Sequence, residues 1–403
     1  ASVVPPRMRV GGMAEWLSII GIGENGLKDL SEASRDALER AEVVFGSPRH
    51  LAMVDHPCKS PWPVPFSLVP LLTLRGKRVV ALVSGDPFWH GAGGSLAQEL
   101  QPGEWRAYPA LSVQSLAAAS LGWRLEEVLC LGLHAAPVEK LRRHLSDGAR
   151  LIVTLRDGSA PASLAGYLTS LGFGASTLHV LEHLGGPRER VRRYLAQEAL
   201  PQCENLVACA VEVRGGKGLP HSSGLEDDLY EHDGQITKRP VRALALSALA
   251  PHPGELLWDL GTGSGSVGIE WLLSHPRNRA IGVERDPIRA ARARANARSL
   301  GVPHFEIREG RALALLPGLP APDAVFIGGG LDAPLLDALW AILPAKTRIV
   351  AHGVTLETES LLTGAQARLG GTLLRIELSQ AAPLGSRRGW KASYPVVQWS
   401  VTR

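Results

Sequence analysis

Two glycine turns, each directly following an apolar segment, constrain the fold of this chain more than any other feature. The first turn ends residues 16–23, WLSIIGIG, and the second ends residues 256–265, LLWDLGTGSG. Glycines after a hydrophobic strand let the backbone turn sharply and approach a ligand without Cβ atoms in the way. The two turns, one near each end of 403 residues, predict two α/β domains that each bind a nucleotide-type cofactor.

Short apolar runs alternate with helical stretches on both sides of a polar, glycine-rich segment, and this alternation predicts α/β domains. The predicted strands are 17–21, 43–45, 79–83, 151–155, 206–213, 255–260, 279–283, 324–327 and 348–351, and the clearest helices are 30–41, 112–121 and 287–300. We expect the tail, residues 372–402, to form two strands around a loop at 383–389, as an antiparallel hairpin on the sheet edge.

The pattern also predicts the domain limits. We expect a flexible leader at 1–15, a first domain at 16–213, a linker at 214–235 and a second domain at 236–403. The predicted linker contains RGGKG and SSG and lacks hydrophobic periodicity.

Composition narrows the functional classes. With 45% hydrophobic and 20% charged residues the chain has the balance of a soluble globular protein, and no apolar run reaches the roughly 18 residues of a membrane span. A net charge of +4 is too small to argue for a nucleic-acid partner. The four cysteines, Cys58, Cys130, Cys203 and Cys209, lack CxxC spacing. We therefore expect reduced thiols, a cytoplasmic protein and no bound metal.

The second turn contains GSGSVG at residues 263–268, which is weak on its own but follows a strand and precedes a helix. Glu284 lies about 20 residues further on, where an acid can bind ribose hydroxyls. Asp259 lies on the strand just before the glycines. A carboxylate there repels a pyrophosphate but suits an ammonium group, which favours S-adenosylmethionine over NAD; a turn that binds nothing is the third reading.

Residues 225–403 resemble the decarboxylating carbon-15 methyltransferases of cobalamin biosynthesis, which have a Rossmann-like class I methyltransferase fold. The matching motifs are DGQITKR at 233–239, DLGTGSGSVGIE at 259–270, GVERD at 282–286, FIGGG at 326–330 and AHGVTLE at 351–357. The resemblance implies a cofactor site made by Thr237, Asp259, Gly261, Thr262, Gly263, Gly265, Glu284, Arg311 and Ala312. His232, Asp233 and Lys238 are candidate acid or base groups, in a loop whose alternative role is to cover the cofactor.

The first turn is a weak signal alone, but it becomes specific together with the motifs SGDPFWHG at 84–91 and YPALSVQSLA at 108–117. Together they resemble the class III tetrapyrrole methyltransferases, whose two lobes bind S-adenosylmethionine in a cleft, and GLH at 132–134, RDG at 156–158 and EHLG at 182–185 point to the carbon-5 subgroup. The implied cofactor residues are Gly21, Gly23, Gly85, Asp86, Pro87, Ser112 and Asp157. Asp86 is either a base or a residue that shapes the cofactor site. His134 is either a catalytic substrate contact or a structural residue at a strand end.

Two arginine-rich stretches, 188–193 and 285–298, are either solvated surfaces or partners for the carboxylates of a tetrapyrrole. The order of the halves resembles a fusion of a carbon-5 methyltransferase with a decarboxylating carbon-15 methyltransferase. The resemblance implies that precorrin-6B and two S-adenosylmethionine yield precorrin-8, two S-adenosylhomocysteine and carbon dioxide. It also implies a homo-oligomer without membrane or nucleic-acid partners. A cobalt-containing substrate, an RNA methyltransferase, and a non-catalytic or NAD-linked tetrapyrrole-binding protein are the alternatives.

Overall fold

The computed structural model describes residues 15–403, so the predicted leader lies outside the described residues except for residue 15. The described chain divides into two compact units. The first unit comprises residues 15–136 with Ser146–Lys217, and the second comprises Pro137–Leu145 with Gly218–Arg403. Strands alternate with helices in both units, which confirms the predicted α/β class.

The first unit begins with a five-stranded parallel sheet of order β3-β2-β4-β1-β5. Its three central strands are buried on both faces, as parallel strands covered by helices require. The side chains of Ser31 and Ser112 accept N–H groups at the starts of the first and fifth helices. The elements are β1 (Leu17–Ile22), α1 (Glu32–Glu39), β2 (Val43–Gly46), α2 (Pro48–Ala52), β3 (Lys59–Pro61), α3 (Val69–Leu72), β4 (Val79–Ser84), α4 (Gly93–Glu99), β5 (Trp105–Tyr108) and α5 (Val113–Leu121).

A second five-stranded sheet completes the first unit, in the order β6-β7-β10-β8-β9. Only β6 and β7 pair in parallel, whereas the other neighbours are antiparallel. The first unit therefore has two lobes, as its resemblance to the class III tetrapyrrole methyltransferases implies. The elements are β6 (Leu129–Gly132), β7 (Arg150–Thr154), α6 (Ala160–Ser170), β8 (Thr177–Glu182), β9 (Arg190–Leu195) and β10 (Val207–Glu212).

The second unit is built on a seven-stranded sheet of order β13-β12-β11-β14-β15-β19-β16. The first five strands of that order are parallel, so their carboxyl ends share one edge, where open α/β sheets bind ligands. The elements are α7 (Arg239–Leu249), β11 (Leu256–Leu260), α8 (Ser266–Ser274), β12 (Arg279–Glu284), α9 (Pro287–Ser299), β13 (Glu306–Glu309), α10 (Ala312–Leu315), β14 (Ala324–Ile327), α11 (Ala333–Ile342), β15 (Arg348–Gly353), α12 (Leu356–Leu369), β16 (Thr372–Ile376), β17 (Ser379–Leu384), β18 (Arg387–Ala392) and β19 (Val396–Thr402).

The prediction for the tail was wrong in its pairing. The loop expected at 383–389 is instead occupied by β17 and β18, which form a separate two-stranded ribbon. The strands that join the main sheet are β16 and β19, and β19 pairs antiparallel with both β15 and β16. The physical reason is burial: Val397 and Trp399 of β19 lie in the core, whereas β17 and β18 are almost wholly exposed and bring Arg387, Arg388 and Lys391 to the surface.

Part of the segment predicted as a linker packs into the second unit. Leu225 and Tyr230 are buried, and both belong to a hydrophobic cluster with Leu246 of α7 and Trp271 of α8. Residues 15–403 contain no helix with the length and apolar character of a membrane crossing. The same residues contain no group of three or more His, Cys, Asp or Glu side chains suited to holding a metal ion.

Candidate functional sites at the two glycine turns

The first glycine turn lies where three strands of the first sheet end. A Cβ atom on Gly21 would lie 1.9 Å from the Gly85 carbonyl oxygen and 2.7 Å from the Ala110 nitrogen. Gly85 has φ +56°, and its own Cβ would lie 3.2 Å from the Cα of Ser112. The structure therefore brings Gly21, Gly85 and Ser112 together at one edge. Gly23 differs, because a Cβ there would meet nothing within 4 Å.

Asp86 and Pro87 shape the loop that follows β4. The Asp86 Oδ1 atom accepts the Phe88 N–H at 2.9 Å, and the Pro87 carbonyl accepts the Gly93 N–H at 3.0 Å. This geometry favours the shaping role over the alternative of a base. Asp157 has a similar local task after β7, since its Oδ1 accepts the N–H and the hydroxyl of Ser159, and these bonds hold the pKa of its carboxyl below the usual value.

His134 lies at the end of β6 and is exposed. Its ring centroid is 6.4 Å from that of His90, which ends the Asp-Pro loop, and its Nδ1 atom is 3.5 Å from the Thr154 hydroxyl. His90 has φ +57°, an uncommon backbone conformation that often marks functional loops. The two histidines therefore come from different lobes of the first unit, and sequence reasoning had missed His90.

A charged cavity of about 590 Å³ opens in the first unit beside Arg49, His183, Arg188 and Glu204. His183 is buried between two carboxylates, with its Nδ1 atom 3.3 Å from Glu24 and its Nε2 atom 2.9 Å from Glu204. Arg49 pairs with Glu24, and Arg188 pairs with Glu204 at 3.3 Å. Two guanidinium groups thus line a space large enough for an acidic side arm of a ligand.

The arginines just after Arg188 have another task. Arg190 binds the buried Glu182 carboxylate through two hydrogen bonds, and Arg192 adds a third at 2.9 Å. These guanidinium groups hold the pKa of Glu182 down to about 2 against the opposing effect of burial. Residues 190 and 192 are therefore structural partners, and of the three arginines Arg188 alone lines the cavity.

The second glycine turn is held by two acidic side chains at the carboxyl edge of the seven-stranded sheet. Asp259 is 1% exposed, and its Oδ2 atom accepts the Gly268 N–H at 3.0 Å. Burial, with a contribution from the charge of Glu284, raises the pKa of Asp259 to about 6. The Glu284 carboxylate accepts the N–H groups of Gly263 at 2.9 Å and Asp286 at 3.0 Å.

The turn leaves room that side chains would fill. Gly261, Gly263 and Gly265 have φ between +55° and +81°, the left-handed region that glycine adopts freely. A Cβ on Gly261 would lie 3.0 Å from the Gly329 carbonyl oxygen, where the loops after β11 and β14 meet. Thr262 is buried within this turn. A glycine cradle beside two carboxylates fits an adenosyl group that carries an ammonium and ribose hydroxyls.

Arg311 and Ala312 lie beside this turn rather than in it. The neighbouring Gly310 donates its N–H to the Glu284 carbonyl at 2.9 Å, which joins the loop after β13 to the end of β12. The Arg311 side chain is exposed, and its backbone carbonyl accepts the Ala314 N–H at the start of α10. The role of both residues at the cofactor stays a prediction.

The segment of residues 231–238 carries the candidate acid and base groups. Asp233 pairs with Arg289 at 2.8 Å and Arg292 at 3.4 Å, and accepts the Gln235 N–H, so the pKa of its carboxyl lies below the usual value. The His232 Nδ1 atom accepts the Gly234 N–H at 3.0 Å, which leaves its proton on Nε2. Asp233 is thus a stable carboxylate, whereas His232 presents a donor.

Thr237 and Lys238 lie at the start of α7. The Thr237 carbonyl accepts from the Arg242 guanidinium, and the Lys238 carbonyl accepts the Arg242 N–H at 2.8 Å. The side chain of Lys238 is exposed. No described contact joins either side chain to the glycine turn, so their predicted roles at the cofactor stay predictions.

A buried ion pair, which the sequence analysis missed, fastens residues 224–230 and α7 to α8. Glu270 accepts the N–H groups of Gly224 and Leu225, the Tyr230 hydroxyl at 3.0 Å and Arg242 Nε at 2.6 Å. Arg242 is fully buried and also donates to Asp227 at 3.0 Å. Burial and the Glu270 charge raise the pKa of Tyr230, so the phenol remains a donor.

Comparison with known proteins agrees with the family resemblance of each half of the chain. Residues 17–200 match the family described as Tetrapyrrole (Corrin/Porphyrin) Methylases, and residues 228–403 match the Precorrin methyltransferase domain. The fold and sites thus define a two-domain α/β methyltransferase, and a family of this kind uses S-adenosylmethionine.

Relatives of full length make the assignment specific. A precorrin-6Y C(5,15)-methyltransferase [decarboxylating] from Sinorhizobium sp is 46% identical, over 97% of each chain. An enzyme of the same name from Mycobacterium tuberculosis H37Rv is 39% identical, over 96% of this chain and 99% of its own. A cobalt-precorrin-6B C(15)-methyltransferase (decarboxylating) from Salmonella typhimurium is 31% identical, over 43% of this chain and 92% of its own.

The chain belongs to the family of precorrin-6Y C(5,15)-methyltransferases (decarboxylating). This membership confirms the methyltransferase prediction and sets aside the RNA methyltransferase and the NAD-linked binding protein.

Proposed function

We propose that this enzyme methylates precorrin-6B at carbons 5 and 15 and decarboxylates the acetate side chain at carbon 12, giving precorrin-8 in cobalamin biosynthesis. The observation that carries the proposal is the pair of glycine turns at the carboxyl ends of parallel strands in two sheets, in a chain that belongs to a two-position methyltransferase family. Each turn would bind one S-adenosylmethionine, so the enzyme would have two cofactor sites.

The second unit is the candidate for methylation at carbon 15 and for decarboxylation. The Salmonella relative named for carbon 15 aligns over 179 residues, close to the length of the domain match at residues 228–403. The first unit would then methylate carbon 5. This assignment explains why the chain carries two unrelated cofactor turns.

S-adenosylmethionine supplies an activated methyl group when it is bound. At the second site, the Asp259 carboxylate would attract the cofactor's ammonium, and Glu284 would bind its ribose. The chain's main contribution is to hold the acceptor carbon in line with the methyl group, since correct orientation supplies much of such an acceleration. Asp233 is held as a carboxylate by the Gln235 N–H and Arg289, so His232 and Lys238 are the candidates for protonating the decarboxylated carbon. His232 would do so as an imidazolium, with the Gly234 N–H released from its Nδ1 atom.

At the first site the substrate would be held by its acidic arms. Arg49 and Arg188 line the cavity of the first unit, and both carry guanidinium groups suited to acetate or propionate. His134 and His90 are candidates for contact with the macrocycle.

The direct test is mass spectrometry of precorrin-6B incubated with the full-length enzyme and S-adenosylmethionine. The proposal requires a product that has gained two methyl groups and lost carbon dioxide. The cobalt form of the substrate serves as the second arm, and turnover of that form alone would favour the cobalt alternative. Transfer of methyl groups without loss of carbon dioxide would contradict the proposed reaction.

We further propose a cytoplasmic homo-oligomer without nucleic-acid partners, as the resemblance implies. Light scattering of the purified full-length protein tests the oligomer, and a monomeric mass would contradict it.

A further inference from the structure

We propose that Asn296 is a positioning residue that fastens the segment of residues 231–238 to the second glycine turn and thereby couples cofactor binding to the placement of the acid group. The inference rests on the proposed function of the second unit. It concerns a side chain on α9 that is named by no motif of the sequence.

The three hydrogen bonds of the Asn296 side chain all go to these two segments. Its side-chain amide donates to the Ser264 carbonyl at 2.8 Å and to the Glu231 carbonyl at 2.9 Å. Its Oδ1 atom accepts the Glu231 N–H at 2.8 Å. The residue is 2% exposed, so each of these bonds would be costly to leave unmade.

The partners of Asn296 lie directly next to the groups that bind and react. Ser264 lies between Gly263, whose N–H donates to Glu284, and Gly265, the N-cap that directly precedes α8. Glu231 immediately precedes His232. One buried amide therefore joins the cofactor turn to the candidate proton donor, and a shift of either segment displaces the other.

This arrangement couples cofactor binding at the glycine turn to the placement of His232. If cofactor binding stabilises the glycine turn, it also stabilises the bond from Asn296 to Ser264 and hence the placement of Glu231 and His232. Thermodynamic linkage requires the reverse effect to be equal, so loss of the connection weakens the apparent cofactor affinity.

The chain offers a closely matched control in Asn278, which is 1% exposed. Its amide donates to the Trp271 carbonyl and the Ser274 hydroxyl, and its Oδ1 atom accepts the Gly254 N–H at 2.8 Å. Its side chain thus also donates two hydrogen bonds and accepts one, in the same unit. However, it immediately precedes β12, at the edge opposite the glycine turn.

The experiment compares full-length Asn296→Ala and Asn278→Ala in the release of carbon dioxide from precorrin-6B at varied S-adenosylmethionine. We expect both variants to lower the melting temperature. Only Asn296→Ala should raise the KM for S-adenosylmethionine, by roughly five- to tenfold for one or two lost hydrogen bonds, and lower kcat as His232 becomes misplaced. Equal kinetics in the two variants would overturn the proposal.

A second measurement does not depend on a variant that folds. Hydrogen exchange of peptides covering residues 228–238 is followed in the wild-type enzyme with and without S-adenosylhomocysteine. We expect S-adenosylhomocysteine to slow hydrogen exchange in residues 228–238 as well as in the glycine turn. Protection of the turn alone would overturn the coupling. An enzyme that binds S-adenosylhomocysteine but leaves the tetrapyrrole unchanged would instead contradict the proposed function.

Discussion

The buried Glu270–Arg242 pair gives the sharpest stability prediction. Replacing Glu270 with Gln preserves the volume of the side chain but removes the negative charge. In the wild type this carboxylate accepts four hydrogen bonds, from two backbone N–H groups, Tyr230 and Arg242. A glutamine oxygen cannot serve four donors, and its own amide adds two further donors.

The cost follows from burial. Removing one partner of a buried ion pair costs about 3–5 kcal/mol, and the lower value applies here because Arg242 keeps Asp227 as a partner at 3.0 Å. A loss of about 3 kcal/mol corresponds to a decrease of roughly 6–12 °C in the melting temperature of a domain of this size. We expect Glu270→Gln to show that decrease in thermal unfolding of the full-length enzyme, in the transition of the second unit.

The control is Glu306→Gln, which removes a carboxylate paired with Arg308 on the surface. Exposed pairs contribute at most about 1 kcal/mol, so this variant should unfold close to the wild type. Faster hydrogen exchange of α8 in Glu270→Gln than in the wild type would show that the second unit is the one destabilised. Equal melting temperatures for Glu270→Gln and the wild type would refute the claim that this pair fastens the segment before α7.

Three further predictions concern the sites. Gly21→Ala should abolish methylation at carbon 5 because its Cβ would collide with the Gly85 carbonyl, whereas Gly94→Ala, within α4 and with no atom within 4 Å of the added Cβ, should retain that activity. Arg188→Gln should raise the KM for the tetrapyrrole in methylation at carbon 5 by roughly tenfold, the effect of one charged hydrogen bond. For Asp259, burial raises the carboxyl pKa from 3.8 to about 6, so its stabilising contribution is complete below pH 4 and is lost as the pH rises through 6. Asp259→Asn lacks this titration, so between pH 4 and 7 its free energy of unfolding should rise by about 3 kcal/mol relative to that of the wild type, measured by denaturant unfolding.

Each of these predictions has an outcome that contradicts it. Similar product profiles for the two glycine variants would mean that the close approach at the first turn is unimportant. Arg124, an exposed arginine paired with Glu127, provides the control for Arg188, and an equal rise in KM for Arg124→Gln would point to a general charge effect. A pH-independent difference between Asp259→Asn and the wild type would show that Asp259 titrates normally in the folded protein.

The sequence was sufficient for the features that depend on local pattern. Strand β14 has the predicted bounds, and β1, β11 and α9 lie within a residue of them, because an apolar run ending in glycine and an N-terminal Asp-Pro are strong local signals. The partnership of Gly21 with the Asp-Pro loop was also accessible, since parallel strands end at one edge.

Features that depend on tertiary contacts were not accessible. The position of β19 between β15 and β16 requires knowing which apolar strand of the tail finds a buried neighbour. Glu270 was quoted within a motif, but three of its four donors come from residues 224–230, within the predicted linker, and the fourth is Arg242. Asn296 lies in a helix of alanines and arginines, where nothing local distinguishes a buried amide from a solvated one.

The central claim is that each unit carries out its own methylation on one tetrapyrrole. We would test it with carbon-13-labelled S-adenosylmethionine and NMR of the product from Gly21→Ala and Gly261→Ala full-length enzymes, since each change places a Cβ against the opposing carbonyl of one turn. The account predicts that Gly21→Ala labels carbon 15 alone and releases carbon dioxide, and that Gly261→Ala labels at most carbon 5 and releases none. Loss of both labels in each variant, with both proteins folded, would contradict independent sites.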